Sequence, residues 1–222
     1  MAFLENGILG GFSGKVGNIV GYQYKKQYCI RKMPAKSSKP PTVKQLAQRA
    51  KFALSQSFLT QLRPLLKPLP ELGAKHITAF NSSFARVMKC AVAGTYPEFA
   101  IDYAAVKLTS GSLYHGCRHF VSADQTKLTF SWCLGMYNCR FEGTAVLLAY
   151  NPEKEQWIYH TSNAGSEDRW AELYLPCNFK GDRVETYLYF ISADGKKVSD
   201  SVYTGSVDIP AAFICGQMIN LN

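Results

Sequence analysis

The sequence predicts an α+β protein: a glycine-rich N-terminal arm, then two helices, then a β-sandwich of two sheets. Glycines are concentrated near the N-terminus, within residues 7–21. Apolar residues recur at helical spacing within residues 42–94, and from Tyr96 onward they alternate with polar residues as in strands. The predicted parts are therefore residues 1–41, 42–94 and 95–222.

The arm combines flexible backbone with a strand pattern. Residues 7–21 contain six glycines, and glycine loses more backbone entropy on ordering than any other residue. The arm is therefore not expected to fold alone. Alternation over residues 16–30 predicts a β-hairpin with a polar turn at 25–27 and its tyrosines on one face. Residues 32–41 form a basic connector that contains proline.

Two helices are predicted next. Thr42 followed by Gln45 is a capping-box pattern at the start of the first helix, with Ser55 on its polar side. The second helix is expected over residues 74–93, with Gly94 as its C-cap. The apolar side of the first helix consists of Leu46, Ala50, Ala53, Leu54 and Phe58.

Seven short strand-like runs follow, separated by turn signals such as Asn151-Pro152 and Asp194-Gly195. Seven strands in this length, with aromatic residues alternating inward, predict an immunoglobulin- or fibronectin type III-like sandwich. The runs are residues 103–109, 127–134, 143–150, 156–160, 169–175, 183–192 and 198–207.

Charge is divided between the two parts of the chain. Residues 1–94 carry fifteen Lys and Arg against two acids, a net charge of +13, whereas the rest carries ten basic and fourteen acidic side chains, a net charge of −4. This division favours as partner either a polyanion or the acidic part of a neighbouring copy.

Location follows from what the sequence lacks. No run of about 18 apolar residues predicts a membrane span, and the N-terminus does not resemble a secretory signal. Seven cysteines, an odd number without a C-x-x-C pair, predict reduced thiols. We expect synthesis in the cytoplasm, with later incorporation into an assembled particle or release to the outside left open.

Catalysis is not predicted, and neither is a cofactor. The chain has four histidines and no G-x-S-x-G nucleophile elbow. Two carboxylate pairs, Glu153/Glu155 and Glu167/Asp168, fall in charged turns, whereas a general acid needs a desolvated pocket.

A metal site is also not predicted, although three residues are weak candidates. His115, Cys117 and His119 alternate, so on a strand they would project from one face. Their spacing differs from the paired ligands of ordinary zinc sites. A surface loop with incidental His and Cys is the preferred interpretation.

Aromatic residues offer a possible glycan site. Trp157 and Tyr159 share a face if their run is a strand, and Trp170 lies in the same region of the sequence. Exposed rings would stack on sugars. The preferred interpretation is that the tryptophans fill the core of the sandwich or its ends.

Four features of the sequence occur together: Gly14-Lys15-Val16-Gly17, a hairpin ending near Arg31, Thr42-x-x-Gln45-x-x-x-Arg49-x-Lys51-Phe52, and Val198-Ser199-x-Ser201-x-Tyr203-x-Gly205. In this combination the chain resembles a family of unknown function that is common in Bacteroidota. The resemblance covers nearly the whole chain and implies the layout of arm, helices and sandwich, but no activity.

These observations favour a structural subunit that self-assembles into a filament or a virion- or tail-like particle. An arm that cannot fold alone needs an external surface, and a neighbouring copy supplies one. The alternatives are a non-specific nucleic-acid binder and a glycan- or surface-binding adhesin. The residues expected to link copies are Val16, Ile19, Val20, Tyr22 and Tyr24, with Lys25, Lys26, Arg31 and Lys32 for electrostatic docking.

Overall fold

The computed structural model describes residues 3–4, 11–24, 27–35, 39–70, 77–133, 143–165 and 167–211. The chain divides into two compact units, Met1–Thr42 and Val43–Asn222. The first unit is the arm, and the second, the body, contains the helices and the larger sheets.

The arm is an antiparallel sheet of four strands in chain order: β1 (Phe3–Leu4), β2 (Phe12–Val16), β3 (Ile19–Tyr24) and β4 (Gln27–Lys32). The predicted hairpin is confirmed as the β3–β4 pair. One detail of the prediction is wrong. Tyr28 pairs with Gln23 and so lies on the face opposite Tyr22 and Tyr24.

The first helix of the body begins where the sequence predicts, directly after Thr42. The second, predicted over residues 74–93, begins at Ala79 and ends at Ala91, so its predicted bounds are too wide. The helices are α1 (Val43–Thr60), α2 (Arg63–Leu66) and α3 (Ala79–Arg86), and α3 continues as a π-helical turn, Val87–Ala91. The predicted polar position of Ser55 is wrong, because Ser55 is fully buried. Its hydroxyl donates to the carbonyl of Lys51 at 2.9 Å, so burial leaves its donor satisfied.

Nine strands lie in the described part of the body. Two corrections concern their beginning: Gly94 is not a helix C-cap but lies in a strand with φ +91°, and Tyr103–Ala105 is a 3₁₀ turn rather than a strand. The strands are β5 (Val92–Thr95), β6 (Glu98–Ile101), β7 (Arg118–Ala123), β8 (Lys127–Cys133), β9 (Gly143–Asn151), β10 (Gln156–Thr161), β11 (Trp170–Tyr174), β12 (Arg183–Ser192) and β13 (Val202–Asp208).

The body strands form three antiparallel sheets, ordered β10-β9-β12-β13, β11-β8-β7 and β5-β6. The central strands of the four-stranded sheet, β9 and β12, are buried on both faces. Leu147 and Leu188 point toward the three-stranded sheet, where they join Phe130 in one core cluster. Leu148 and Tyr187 point toward the helices and join Phe58 in another. Helices, four-stranded sheet and three-stranded sheet therefore form three layers of a β-rich α+β body.

A chain crossing at Gly111 ties the irregular segment before β7 to the segment before β13. A Cβ on Gly111 would lie 1.8 Å from the carbonyl oxygen of Val198, and the Gly111 N–H donates to Asp200 at 2.8 Å. We expect Gly111→Ala to lower the free energy of unfolding by about 1–3 kcal/mol, as overpacking does, in a urea titration. The neighbouring exposed residue, Ser112, supplies the control. Ser112→Ala should change the free energy of unfolding by under about 0.5 kcal/mol. Equal midpoints for the two variants would contradict this account.

Candidate functional site: the N-terminal sheet

The strand register divides the arm into two chemically different faces. Residues opposite one another on neighbouring strands project to the same side of a sheet. Val16 pairs with Ile19, Gly21 pairs with both Gly14 and Ile30, and Val20 pairs with both Lys15 and Arg31. One side, here called the apolar face, carries Phe12, Val16, Ile19, Tyr28 and Ile30, together with two polar residues, Gln23 and Lys32. The other, the basic face, carries Lys15, Val20, Tyr22, Tyr24 and Arg31.

Glycines make the apolar face compact. A Cβ on Gly21 would lie 2.6 Å from the ring of Phe12, and a Cβ on Gly11 would lie 2.0 Å from the ring of Tyr28. Both rings therefore lie directly on glycine backbone, which no larger residue would allow. This close approach gives two of the arm's glycines a packing role in addition to their flexibility.

The apolar face remains open to solvent. Val16 is 50% exposed, Ile19 39%, Tyr28 45% and Ile30 64%. Both core clusters of the described chain consist only of body residues, so the arm sheet has no core of its own. An isolated sheet of this size normally needs one face packed to be stable. The arm sheet therefore presents an exposed apolar patch, a feature that often marks interaction surfaces.

The basic face combines cations with aromatic rings. The Arg31 guanidinium lies over the Tyr22 ring, 5.7 Å from its centroid. Lys15 and Arg31 flank Val20 on the neighbouring strands. No acidic residue occurs in the described part of the arm, 11–24 and 27–35, so this face attracts anionic groups.

The structure distributes the predicted linking residues over both faces. Val16 and Ile19 lie on the apolar face, whereas Val20, Tyr22 and Tyr24 lie on the basic face. Of the predicted docking cations, Arg31 and Lys32 end β4 on opposite faces, and Lys25 and Lys26 fall outside the described residues. Three apolar members of the apolar face, Phe12, Tyr28 and Ile30, are not among the predicted linking residues. The alternation that starts at Tyr28 would have identified two of them, Tyr28 and Ile30.

The three aromatic glycan candidates do not form one site. Trp157 is 6% exposed, and its indole Nε1 donates to the Phe58 carbonyl at 2.6 Å, so it belongs to the core and is removed from the candidates. Tyr159 lines an open groove of about 350 Å³ beside Leu65 and Ile191. Trp170 is 56% exposed on the three-stranded sheet, away from the face that carries Trp157.

The weak metal candidates are close together but poorly suited to coordination. His119 Nε2 lies 2.6 Å from the carbonyl oxygen of His115, so it acts as a donor there. Burial lowers the pKa of His119. Cys117 is exposed. Within the ranges that the structure describes, no group of three or more His, Cys, Asp or Glu residues is arranged to hold a metal ion.

The fold and the arm together define a class: a β-rich α+β body joined to a small basic sheet with an open apolar face. The chain belongs to a family of unknown function, DUF6266, whose model matches residues 11–205. The match includes both units, from β2 into β13, and it confirms the resemblance to a family without an assigned function. No curated protein matches the chain. No helix among the described residues is long and apolar enough to cross a membrane.

Proposed function

We propose that this protein is a non-enzymatic structural subunit that assembles with copies of itself through the N-terminal arm. The observation that carries the proposal is the exposed apolar face of the arm sheet. Complete burial of a Val, Ile or Phe side chain contributes about 1.5–3 kcal/mol. The exposed members of this face are roughly half buried already, so covering them contributes about half of that per side chain.

The arm and the body differ in surface, which favours head-to-tail assembly. Contacts between two different surfaces close into rings or continue as open filaments. A filament or a virion- or tail-like particle that displays the body fits this arrangement. Such a particle would be assembled from chains made in the cytoplasm and could act outside the cell after release.

The strand order of the body supports an immunoglobulin- or fibronectin type III-like relation, which is part of this proposal. From β7 onward the chain passes back and forth between two sheets. The strands β7, β8 and β11 belong to one sheet, and β9, β10, β12 and β13 belong to the other. Crossing between two packed antiparallel sheets in this way is typical of that sandwich. Domains of this architecture commonly serve as displayed modules on surfaces.

The test is an acidic substitution in the apolar face. We expect the wild-type chain to sediment as large species free of nucleic acid, and Ile19→Asp combined with Ile30→Asp to shift it to monomer over the same concentrations. A charge in the centre of a packed apolar interface is left without a partner. Val43→Asp is the control, since Val43 is 68% exposed at the start of α1 and lies outside the sheet.

A second test uses a truncated chain that lacks residues 1–33. Both core clusters lie in the body, so the shortened chain is expected to fold and to remain monomeric. If it assembles as well as the full chain, or if the paired aspartates leave assembly unchanged, the arm does not link copies and the proposal is wrong.

The basic face supports one alternative function, non-specific nucleic-acid binding. Cationic side chains bind phosphate, and aromatic rings beside them stack on bases. Such binding weakens steeply as the salt concentration rises. A monomer that co-purifies with nucleic acid, and that releases it when Arg31 and Tyr22 are replaced by alanine, would favour this alternative over assembly.

A further inference from the structure

The partner surface of the arm can be sought on the body itself. A groove of about 250 Å³ lies beside β11, lined by six residues: Ser162, Ala164, Asp168, Trp170, Ala171 and Glu172. Among the described strands, β11 is the last of its sheet, with β8 on one side only. An edge strand next to a groove is a place where a strand of another chain can add.

The backbone of β11 is oriented for such an addition. Trp132 N–H donates to the Arg169 carbonyl at 2.9 Å, and Leu175 N–H donates to the Thr126 carbonyl at 2.8 Å. Hydrogen bonding to β8 therefore falls on the odd-numbered residues of β11. In an antiparallel ladder the alternate residues point their N–H and C=O groups the other way. Trp170, Glu172 and Tyr174 thus direct their backbone groups toward the groove side.

Charge and ring chemistry on this edge complement the arm. Two of the six lining residues are carboxylates and none is basic. Asp168 accepts the Gly165 N–H at 2.7 Å. Glu172 pairs with Lys127 at 2.8 Å through one oxygen and accepts the Tyr174 hydroxyl at 3.3 Å through the other. Trp170 is 56% exposed and Tyr174 69%, which leaves aromatic faces for a guanidinium. An arm that carries cations and no acid in its described residues fits this surface.

We propose that β4 of one copy adds to β11 of the next copy. This inference rests on the proposed function and names the surface that the arm uses. Arg31 then lies beside Glu172 and Trp170 on the outer side. The apolar face of the arm then lies on the inner side of β11, the side that faces the core between the two larger sheets of the body. Ala164 packs against that core. Arm-to-arm pairing is disfavoured because both surfaces carry positive charge.

Reciprocal charge exchange tests the contact between copies. Arg31→Glu alone sets a carboxylate against Glu172, and Glu172→Arg alone sets two guanidiniums together, so each variant should need a protein concentration about tenfold or more higher to assemble. Mixing the two variants restores opposite charges at every contact, because each arm then meets a complementary groove. We expect light scattering of the equimolar mixture to return to the wild-type value.

Controls separate this inference from the proposed function and from misfolding. Glu98→Arg makes the same charge change on the β5–β6 hairpin and should leave assembly unchanged. Trp170→Ser keeps the Lys127–Glu172 ion pair and should still weaken assembly. Circular dichroism melting verifies that each variant folds.

Three outcomes would overturn the inference. If Glu172→Arg and Trp170→Ser assemble as wild type while Ile19→Asp combined with Ile30→Asp does not, the arm links copies through another surface. If the two charge variants fail to complement each other in the mixture, Arg31 does not meet Glu172. If the wild-type chain is monomeric at every concentration, both this inference and the proposed function are wrong.

Discussion

Phe58→Ala is expected to lower the free energy of unfolding by about 3–5 kcal/mol, the range for removing a fully buried aromatic ring. Phe58 is 2% exposed on α1. Its ring centroid lies 4.8 Å from that of Tyr150, 5.0 Å from that of Trp157 and 6.2 Å from that of Tyr103. The substitution removes edge contacts with the rings of Tyr150 and Trp157 and a tilted contact with that of Tyr103, and it leaves a cavity between the helices and the four-stranded sheet.

A matched residue on the same helix provides the control for Phe58. Phe52 is 51% exposed and contacts Phe84 at 4.9 Å between centroids. Phe52→Ala should lower the free energy of unfolding by about 1 kcal/mol or less, since it removes one ring contact and little buried area. The measurement is the urea midpoint by circular dichroism. Similar midpoints for the two alanine variants would mean that α1 does not pack on the sheet through Phe58.

Ser201→Ala should destabilise the body by about 2–4 kcal/mol, because one hydroxyl satisfies two buried donors. Ser201 Oγ accepts from Leu108 N–H at 2.8 Å and from Thr109 N–H at 3.2 Å. Those residues lie in a segment without helix or strand, so its backbone relies on side chains for hydrogen bonds. Alanine leaves both N–H groups buried without an acceptor.

The control for Ser201 is a serine on the following strand. Ser206 is exposed on β13, and Ser206→Ala should change the free energy of unfolding by under about 0.5 kcal/mol. Amide hydrogen exchange gives a local readout, because Leu108 and Thr109 should exchange faster in the Ser201 variant. Unchanged exchange at both amides would show that another group accepts these hydrogen bonds.

Strands with strong local patterns could be predicted from the sequence. The β12 run from Arg183 to Ser192 is predicted at its observed ends, because turn residues bound it and β-branched and aromatic residues fill it. The strand β7 is not predicted, since a polar His119 lies on its inner side and an apolar Phe120 on its exposed side, which reverses the expected alternation. Gly94 was misassigned because only its pairing with Phe99 makes it a strand residue. That pairing depends on the tertiary fold.

The candidate site, too, could be predicted from the sequence only where it depends on local patterns. The sequence predicts the hairpin and its basic character, because alternation and charge are local properties. The two faces depend on how β2 pairs with β3, and six glycines leave that register without a side-chain signal. Trp157 and Trp170 look alike in the sequence, and only the position of α1 over β10 separates a core residue from a surface one.

The three-layer body also constrains the timing of folding during synthesis. Phe58 accepts the indole N–H of Trp157, which is 99 residues further along the chain, and Gln61 accepts the backbone N–H of the same tryptophan. At roughly 5–20 residues per second, about 5–20 s pass between synthesis of α1 and synthesis of the strand that covers it. During that interval the apolar side of the helix is exposed on the nascent chain. Contacts this distant in sequence also slow folding. The N-terminal sheet is therefore synthesised before the strands that complete the body.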